Sequence, residues 1–253
     1  MNLDHPAFLP YHDLIEALGL ARGLPTLDAL NACAAARGTR QARGLPLSFV
    51  APDGRLSARD YETHILETGE VPTRADTWHD ILNALVWLRF PRFKAALNAA
   101  HGDALCKETG PVRGRRRDAL TVLDESGVWV ASRDATLPRL LAARAWNTLF
   151  VDRRAQVEAD MRCVVVGHAL LEKALAPYPT MTGKCLLLAV AAPGSESLEA
   201  AAVSALATVD TPKALPPLPI QGVPGWDPRN ADPAYYADRG VFRPLSSNGR
   251  TVA

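Results

Sequence analysis

Residues Tyr61 to His101, YETHILETGEVPTRADTWHDILNALVWLRFPRFKAALNAAH, place the densest group of polar side chains in the chain among residues that must be core. From Trp78 onward Ile81, Leu82, Leu85, Val86, Leu88 and Phe90 recur at helical spacing, so a broad apolar stripe faces inward. Thr77 is the predicted N-cap. Its hydroxyl can accept from a free first-turn N–H, and Asp80 three residues on adds charge suited to the positive end of the helix dipole. His79 and Asn83, four apart, share one face of this helix, with Asp80 on an adjoining line. Pro91 has no N–H to donate and disfavours helical geometry at Phe90, so the helix ends or kinks there. A second helical segment is predicted from Arg92 to His101, with Lys94, Asn98 and His101 on one face.

Downstream, Ala119 to Ser132, ALTVLDESGVWVAS, reads as a β-hairpin: two β-prone runs joined by Asp124-Glu125-Ser126-Gly127. Asp124 and Glu125 could face a metal, although carboxylates and hydroxyls in turns commonly bond their own backbone. Met161 to Gly167 is a buried-type strand that runs directly into a helix opened by His168. His168 and Glu172 then lie on one face, as a metal-ligand pair, a general-base pair or a local hydrogen bond. Upstream, Tyr11 to Arg37 predicts two short helices divided by Arg22-Gly23-Leu24-Pro25, and Leu45 to Val50 a strand. Glu62, Glu67, Glu70 and Arg74, on the approach to the Trp78 helix, are second-rank site residues.

Helical segments are expected from Thr136 to Phe150 and from Glu196 to Thr208, with a strand from Lys184 to Val190. From Pro212 the chain is proline-rich, and Trp226, Tyr235, Tyr236 and Phe242 would be exposed unless it packs back. The predicted fold is α+β: one domain over residues 1–211, a mixed or antiparallel sheet with helices packed against it, and an extended C-terminal arm over 212–253 laid on that domain.

The strings YE..I..TGEVPTR, WHDILNALVWLRFPR.KAALN, RRRDALTVLDESG, GHALLEK and PGWDPRN resemble a bacterial family catalogued as domain of unknown function 3025. The resemblance extends roughly from Tyr61 to Phe242 and implies no activity, so the chemistry must come from the residues.

With 253 residues, 48% of them hydrophobic, a substantial core is expected, and a net charge of +1 supplies no global attraction to nucleic acid or anionic membrane. The start, MNLDHPAFLPYHDL, lacks the basic and apolar regions of a secretory signal, and the longest apolar run, Cys185 to Pro193, is far short of the roughly 20 residues that span a bilayer. A soluble, cytoplasmic protein is the expectation. Four widely separated cysteines read as buried reduced thiols. The run Arg113-Gly114-Arg115-Arg116-Arg117 could contact a phosphate-containing ligand or pair with Asp118, Asp124 and Glu125; without interleaved aromatics it is no strong nucleic-acid signature.

Two functions stay open. His79, Asp80, Asn83, Arg92 and their neighbours can form a buried polar network in a binding or structural protein, the favoured reading. The alternative is a metal-dependent hydrolase of the phosphoesterase or nuclease class. Its catalytic residues would be His79, Asp80 and His168, and a divalent metal would be held by His79, Asp80, Asp124 and His168. Asn83, Arg92, Lys94, Arg115, Arg116 and Glu172 would bind substrate, with Arg89 and Arg117 also able to neutralise a phosphate. Convergence of His79, Asp80 and His168 in a cleft favours the hydrolase. A buried His79 with both nitrogens on backbone or carboxylate favours the network.

Overall fold

The computed structural model describes residues 1–108, 114–190 and 195–245. After a 3-10 turn at Pro6–Tyr11, helices α1 (His12–Ala17) and α2 (Leu27–Ala36) lead to the short strand β1 (Ser48–Val50). Helix α3 (Ala58–Thr68) starts at Ser57, whose side chain accepts from the Asp60 N–H at 3.1 Å. It stops at Gly69, with φ of 79°; a Cβ there would be strained and would overlap the Pro46 carbonyl. Strand β2 (Glu70–Pro72) follows at once and pairs parallel to β1.

Helix α4 (Trp78–Arg89) forms as its periodicity requires, with Thr77 accepting from the Asp80 N–H at 3.4 Å and every residue from Ile81 to Leu88 buried. Phe90 is non-helical, and Pro91 serves as the first residue of a new helix, α5 (Pro91–Lys107), which runs on past His101.

The hairpin expected over Ala119 to Ser132 does not form. Residues Arg115–Ser126 are helix α6, and strand β3 (Gly127–Ser132) begins directly after it. Buried Ala119, Leu120 and Leu123 lie at helical spacing, and their packing overrides the β-propensity of Thr121 and Val122. Next come α7 (Thr136–Ala142), α8 (Arg154–Asp160), β4 (Met161–Val165), α9 (His168–Ala174), β5 (Thr182–Ala189), α10 (Ser195–Ala205) and β6 (Pro217–Pro219). The larger sheet has the order β4-β3-β5-β6 and is mixed: β3 runs antiparallel to β4, with Val128 opposite Val165, and parallel to β5, with Val128 opposite Cys185. Central β3 is buried at every position.

Residues 212–245 lie against this body through β6, through the Trp146 indole N–H donating to the Arg243 carbonyl at 3.0 Å, and through Tyr236 and Phe242 packed on Phe150 and Trp146. The fold is α+β. Of the four free cysteines only Cys185 is buried; Cys106 is exposed and Cys33 and Cys163 are half-buried, so the expectation of buried thiols holds at one position. Among the described residues no helix is long and apolar enough to cross a membrane.

Two chain reversals meet backbone to backbone. Val166 and Gly167 each donate an N–H to the Gly127 carbonyl at 2.9 Å, where α6 passes into β3. A Cβ on Gly167 would collide with the backbones of Gly127, Ser126 and Glu125. This contact sets the start of α9 beside the end of α6. Gly167→Ala should therefore destabilise the fold by about 1–3 kcal/mol in urea or thermal unfolding; an unchanged midpoint would contradict the close approach.

Candidate functional site

Five helices deliver polar side chains to one cavity of about 730 Å³. Tyr61 and Glu62 come from α3, His79, Asp80 and Asn83 from α4, His101 from α5, Arg117, Thr121 and Asp124 from α6, and His168 from α9. The side chains form a buried layer and an exposed one.

Lys94 of α5 centres the buried layer, at 4% exposure. Its ammonium contacts Asp124 Oδ1, donates to Asn83 Oδ1 at 2.8 Å and sits over the Trp87 ring at 5.4 Å. Asn83 in turn donates to the Tyr61 hydroxyl at 2.9 Å. Burial opposes ionisation of Asp124, but the Lys94 cation outweighs it and holds the carboxyl below the usual aspartate range. Glu62 goes the other way: burial, then the negative charge of Asp124, push it up to about 7, although Asn98 Nδ2 donates to its carboxylate at 2.7 Å.

In the exposed layer His79 lies between two partners. Its Nδ1 is 2.8 Å from Glu172 Oε2, and its Nε2 is 3.1 Å from His168 Nε2, with the rings crossed at 81°. The His79 side chain is 39% exposed and that of His168 only 9%. His168 is pushed down to about 4, first by burial and then by the Lys94 and His79 charges, against the opposite pull of Asp124. It is neutral at pH 7. The gap of 3.7 Å from its Nδ1 to Asp124 Oδ2 exceeds hydrogen-bond length, and the backbone of Asp124 also acts on the ring in the direction that favours its charged form. Two ring nitrogens at 3.1 Å require one proton between them, since two lone pairs repel and two N–H groups collide.

The other expected residues disperse. Asp80 lines the cavity but is committed to Arg74, accepting from its Nε at 2.9 Å, its Nη2 at 3.0 Å and its backbone N–H at 2.8 Å. Arg92 and Arg115 are exposed and stand off the cavity wall, and Arg116 turns away to Asp210 at 2.8 Å. Arg113 lies outside the described residues. Arg89 is at the far end of α4, beside a different cavity. Glu70 pairs with His64 at 3.2 Å and Glu67 is exposed. Among the described residues no group of three or more His, Cys, Asp or Glu side chains is placed to hold a metal.

Tyr61, Arg117 and Thr121 also wall the cavity. Arg117, Thr121 and Asp124 are spaced by four and three, one face of a helix, a signal masked by the hairpin-like pattern of the segment. Arg117 is buried and donates to Glu108 at 2.7 Å.

The chain belongs to the family described as a protein of unknown function, DUF3025, whose model matches residues 47–246. No curated protein and no solved structure matches it. The strings around Tyr61, Arg74, His79, Asp124 and His168 that carry the resemblance are the ones that wall the cavity.

The two layers should respond differently to mutation. Lys94→Met leaves Asp124 buried without its cation and should destabilise by about 3–5 kcal/mol, whereas His79→Ala at the exposed layer should change stability by less than about 1 kcal/mol. Chemical denaturation of both variants checks the contrast. pH separates the titrating groups. Glu62, raised from 4.5 to about 7, is the more protonated in the folded chain between those values, so its contribution to stability falls as pH rises through that window. His168, lowered from 6.5 to about 4, contributes stability that grows as pH rises from about 4 to 6.5. The two slopes oppose each other. Glu62→Gln removes only the first, so its stability relative to the unmodified protein should climb by on the order of 2 kcal/mol from pH 4.5 to 7; a flat difference would contradict the environment described for Glu62.

Proposed function

We propose that this family member is an enzyme, a hydrolase working by general acid–base chemistry on a small polar substrate in the cleft walled by α3, α4, α6 and α9. The observation that carries the reading is the Nε2-to-Nε2 contact of His79 and His168 at the cavity wall, with a carboxylate facing each ring from its other side. A network serving only stability has no need to leave one imidazole 39% exposed over a cavity of about 730 Å³.

Roles follow from proton placement. Glu172 accepts from His79 Nδ1–H, which fixes the tautomer and leaves Nε2 as the basic nitrogen. The single proton of neutral His168 is then placed on Nε2, where it meets the lone pair that Glu172 leaves on His79 Nε2. A water or substrate hydroxyl that displaces this contact from the cavity side would lose its proton to His79 Nε2. His168 Nε2–H would donate to the oxygen that gains charge, as a neutral electrophile. Lys94 fixes Asp124 as an anion behind His168, and Arg74 fixes Asp80 at the rim.

A second reading rests on the same contact. Carboxylates behind two converging imidazoles also orient metal-ligating histidines, so His79 and His168 could supply two nitrogens to a divalent ion that takes its other ligands from substrate and solvent. Stoichiometric Zn²⁺ or Mn²⁺ uptake abolished by His79→Ala would favour it.

Turnover of a panel of small esters, amides and phosphoesters tests the main proposal. His79→Ala should reduce kcat/KM on any accepted substrate by at least about 100-fold, and Glu172→Gln by about 10-fold, with both variants folded. Activity surviving His79→Ala, or no turnover across the panel, would return the cluster to a binding or structural role.

A further inference from the structure

Hydrolysis at the imidazole pair leaves one proton unassigned. His79 takes the proton of the attacking water, and His168 donates to the oxygen that gains charge. The atom that departs needs a proton as well, unless it leaves as a stable anion. Glu62 of α3, on the wall of the same cavity, is placed to supply it.

Glu62 is held from one side only. Asn98 Nδ2 donates to its Oε2 at 2.7 Å and to its backbone carbonyl at 2.9 Å, which fixes the side chain against α5. Its Oε1 makes no hydrogen bond among the described residues and, unlike the neighbouring Asn98 Oδ1, is not sealed from the cavity. With Oε2 accepting from Asn98, Oε1 is the oxygen left to carry a proton outward. Burial and then the Asp124 charge keep that proton in place up to about 7, against the pull of Asn98, Lys94 and Arg117. The same Asp124 charge acts on His168, so the acid and the imidazole pair are grouped around one carboxylate. The charged and titratable groups around Glu62 are Asp124 and Arg117 from α6, Lys94 and His101 from α5, and His79 and Asp80 from α4. Two carboxyls on one wall, Asp124 ionised by Lys94 and Glu62 kept neutral, supply both an anion and an acid.

We propose that Glu62 is the acid that protonates the leaving group, and hence that the site is built for substrates that release an alkoxide or an amine rather than a stabilised anion. The inference rests on the hydrolase reading above. Water adds to the substrate as its proton passes to His79 Nε2. The bond to the leaving atom breaks as Glu62 Oε1–H gives its proton to that atom, which yields an alcohol or amine and the Glu62 carboxylate. The proton on His79 then returns to Glu62 through solvent, and both groups end as they began.

Paired ethyl and 4-nitrophenyl esters of acetic and of phosphoric acid are the probes, because 4-nitrophenolate departs without a proton and ethoxide does not. Glu62→Gln keeps the shape and the neutral charge but has no acidic proton. Within the accepted pair it should lower kcat/KM on the ethyl ester by about 100-fold more than on the 4-nitrophenyl ester. A loss of packing alone would slow both alike. The unmodified protein gives a second readout that needs no variant, since the contribution of the imidazoles cancels between the two esters. Its ratio of ethyl to 4-nitrophenyl kcat/KM should be level below about pH 7 and fall about 10-fold per pH unit above it. Equal losses on the two esters, a ratio that stays level across that range, or hydrolysis of the 4-nitrophenyl ester alone would overturn the inference and leave the His79 reading intact. No turnover of any of these esters, or turnover that survives His79→Ala, would overturn both.

Discussion

The buried contact between Lys94 and Asp124 is the constraint on which the polar half of this structure depends. Taking two charges out of water is expensive, and the pair is tolerable because Asn83 and Trp87 also receive the ammonium. The three helices that supply Asn83, Lys94 and Asp124 are thereby locked in one arrangement. A fully paired polar cluster specifies that arrangement more sharply than apolar packing alone would. Burial and the same charges then set the neighbouring groups: burial, then the Asp124 charge, push Glu62 up to about 7, and burial, joined by Lys94, pushes His168 down to about 4.

Backbone geometry does the rest of the positioning. Val166 and Gly167 close on the Gly127 carbonyl, so the start of α9 is fixed to the end of α6, and His168 comes to lie 3.7 Å from Asp124. Helix α4 packs along α9, which brings His79 between His168 and Glu172. The result grades from dry to wet. Lys94 is nearly inaccessible, His168 is mostly covered, and His79 meets solvent. Burial is concentrated at the bottom of this gradient and solvent access at the top.

Local pattern revealed much of the fold and less of the site. The Thr77 cap, the stripe from Ile81 to Phe90, the stop at Pro91 and the strand-to-helix passage at Gly167 and His168 are all short-range features that hydrophobic period and turn chemistry encode. Helix α6 was hidden because β-branched Thr121 and Val122 and the glycine after Ser126 imitate a hairpin, and with it went the shared face of Arg117, Thr121 and Asp124. The site pairs themselves join distant positions. His79 and His168 are 89 residues apart, and Arg116 and Asp210 are 94 apart, so no local spacing distinguishes the pair that lines the cavity from the pair that faces solvent. Asp80 shows the same limit: its place beside His79 suggested a joint role, but Arg74, in the preceding loop, claims both of its oxygens.

In the proposed mechanism one proton joins His79 to His168, with His168 neutral and protonated on Nε2 and His79 protonated on Nδ1 toward Glu172. Long-range ¹⁵N correlation spectra of the imidazoles, recorded on the full chain from pH 5 to 8, read this directly. His168 should keep the neutral Nε2–H pattern throughout that range, with its signals moving when His79 is replaced by alanine. A His168 that titrates near 6.5, or that carries its proton on Nδ1 toward Asp124, would contradict it.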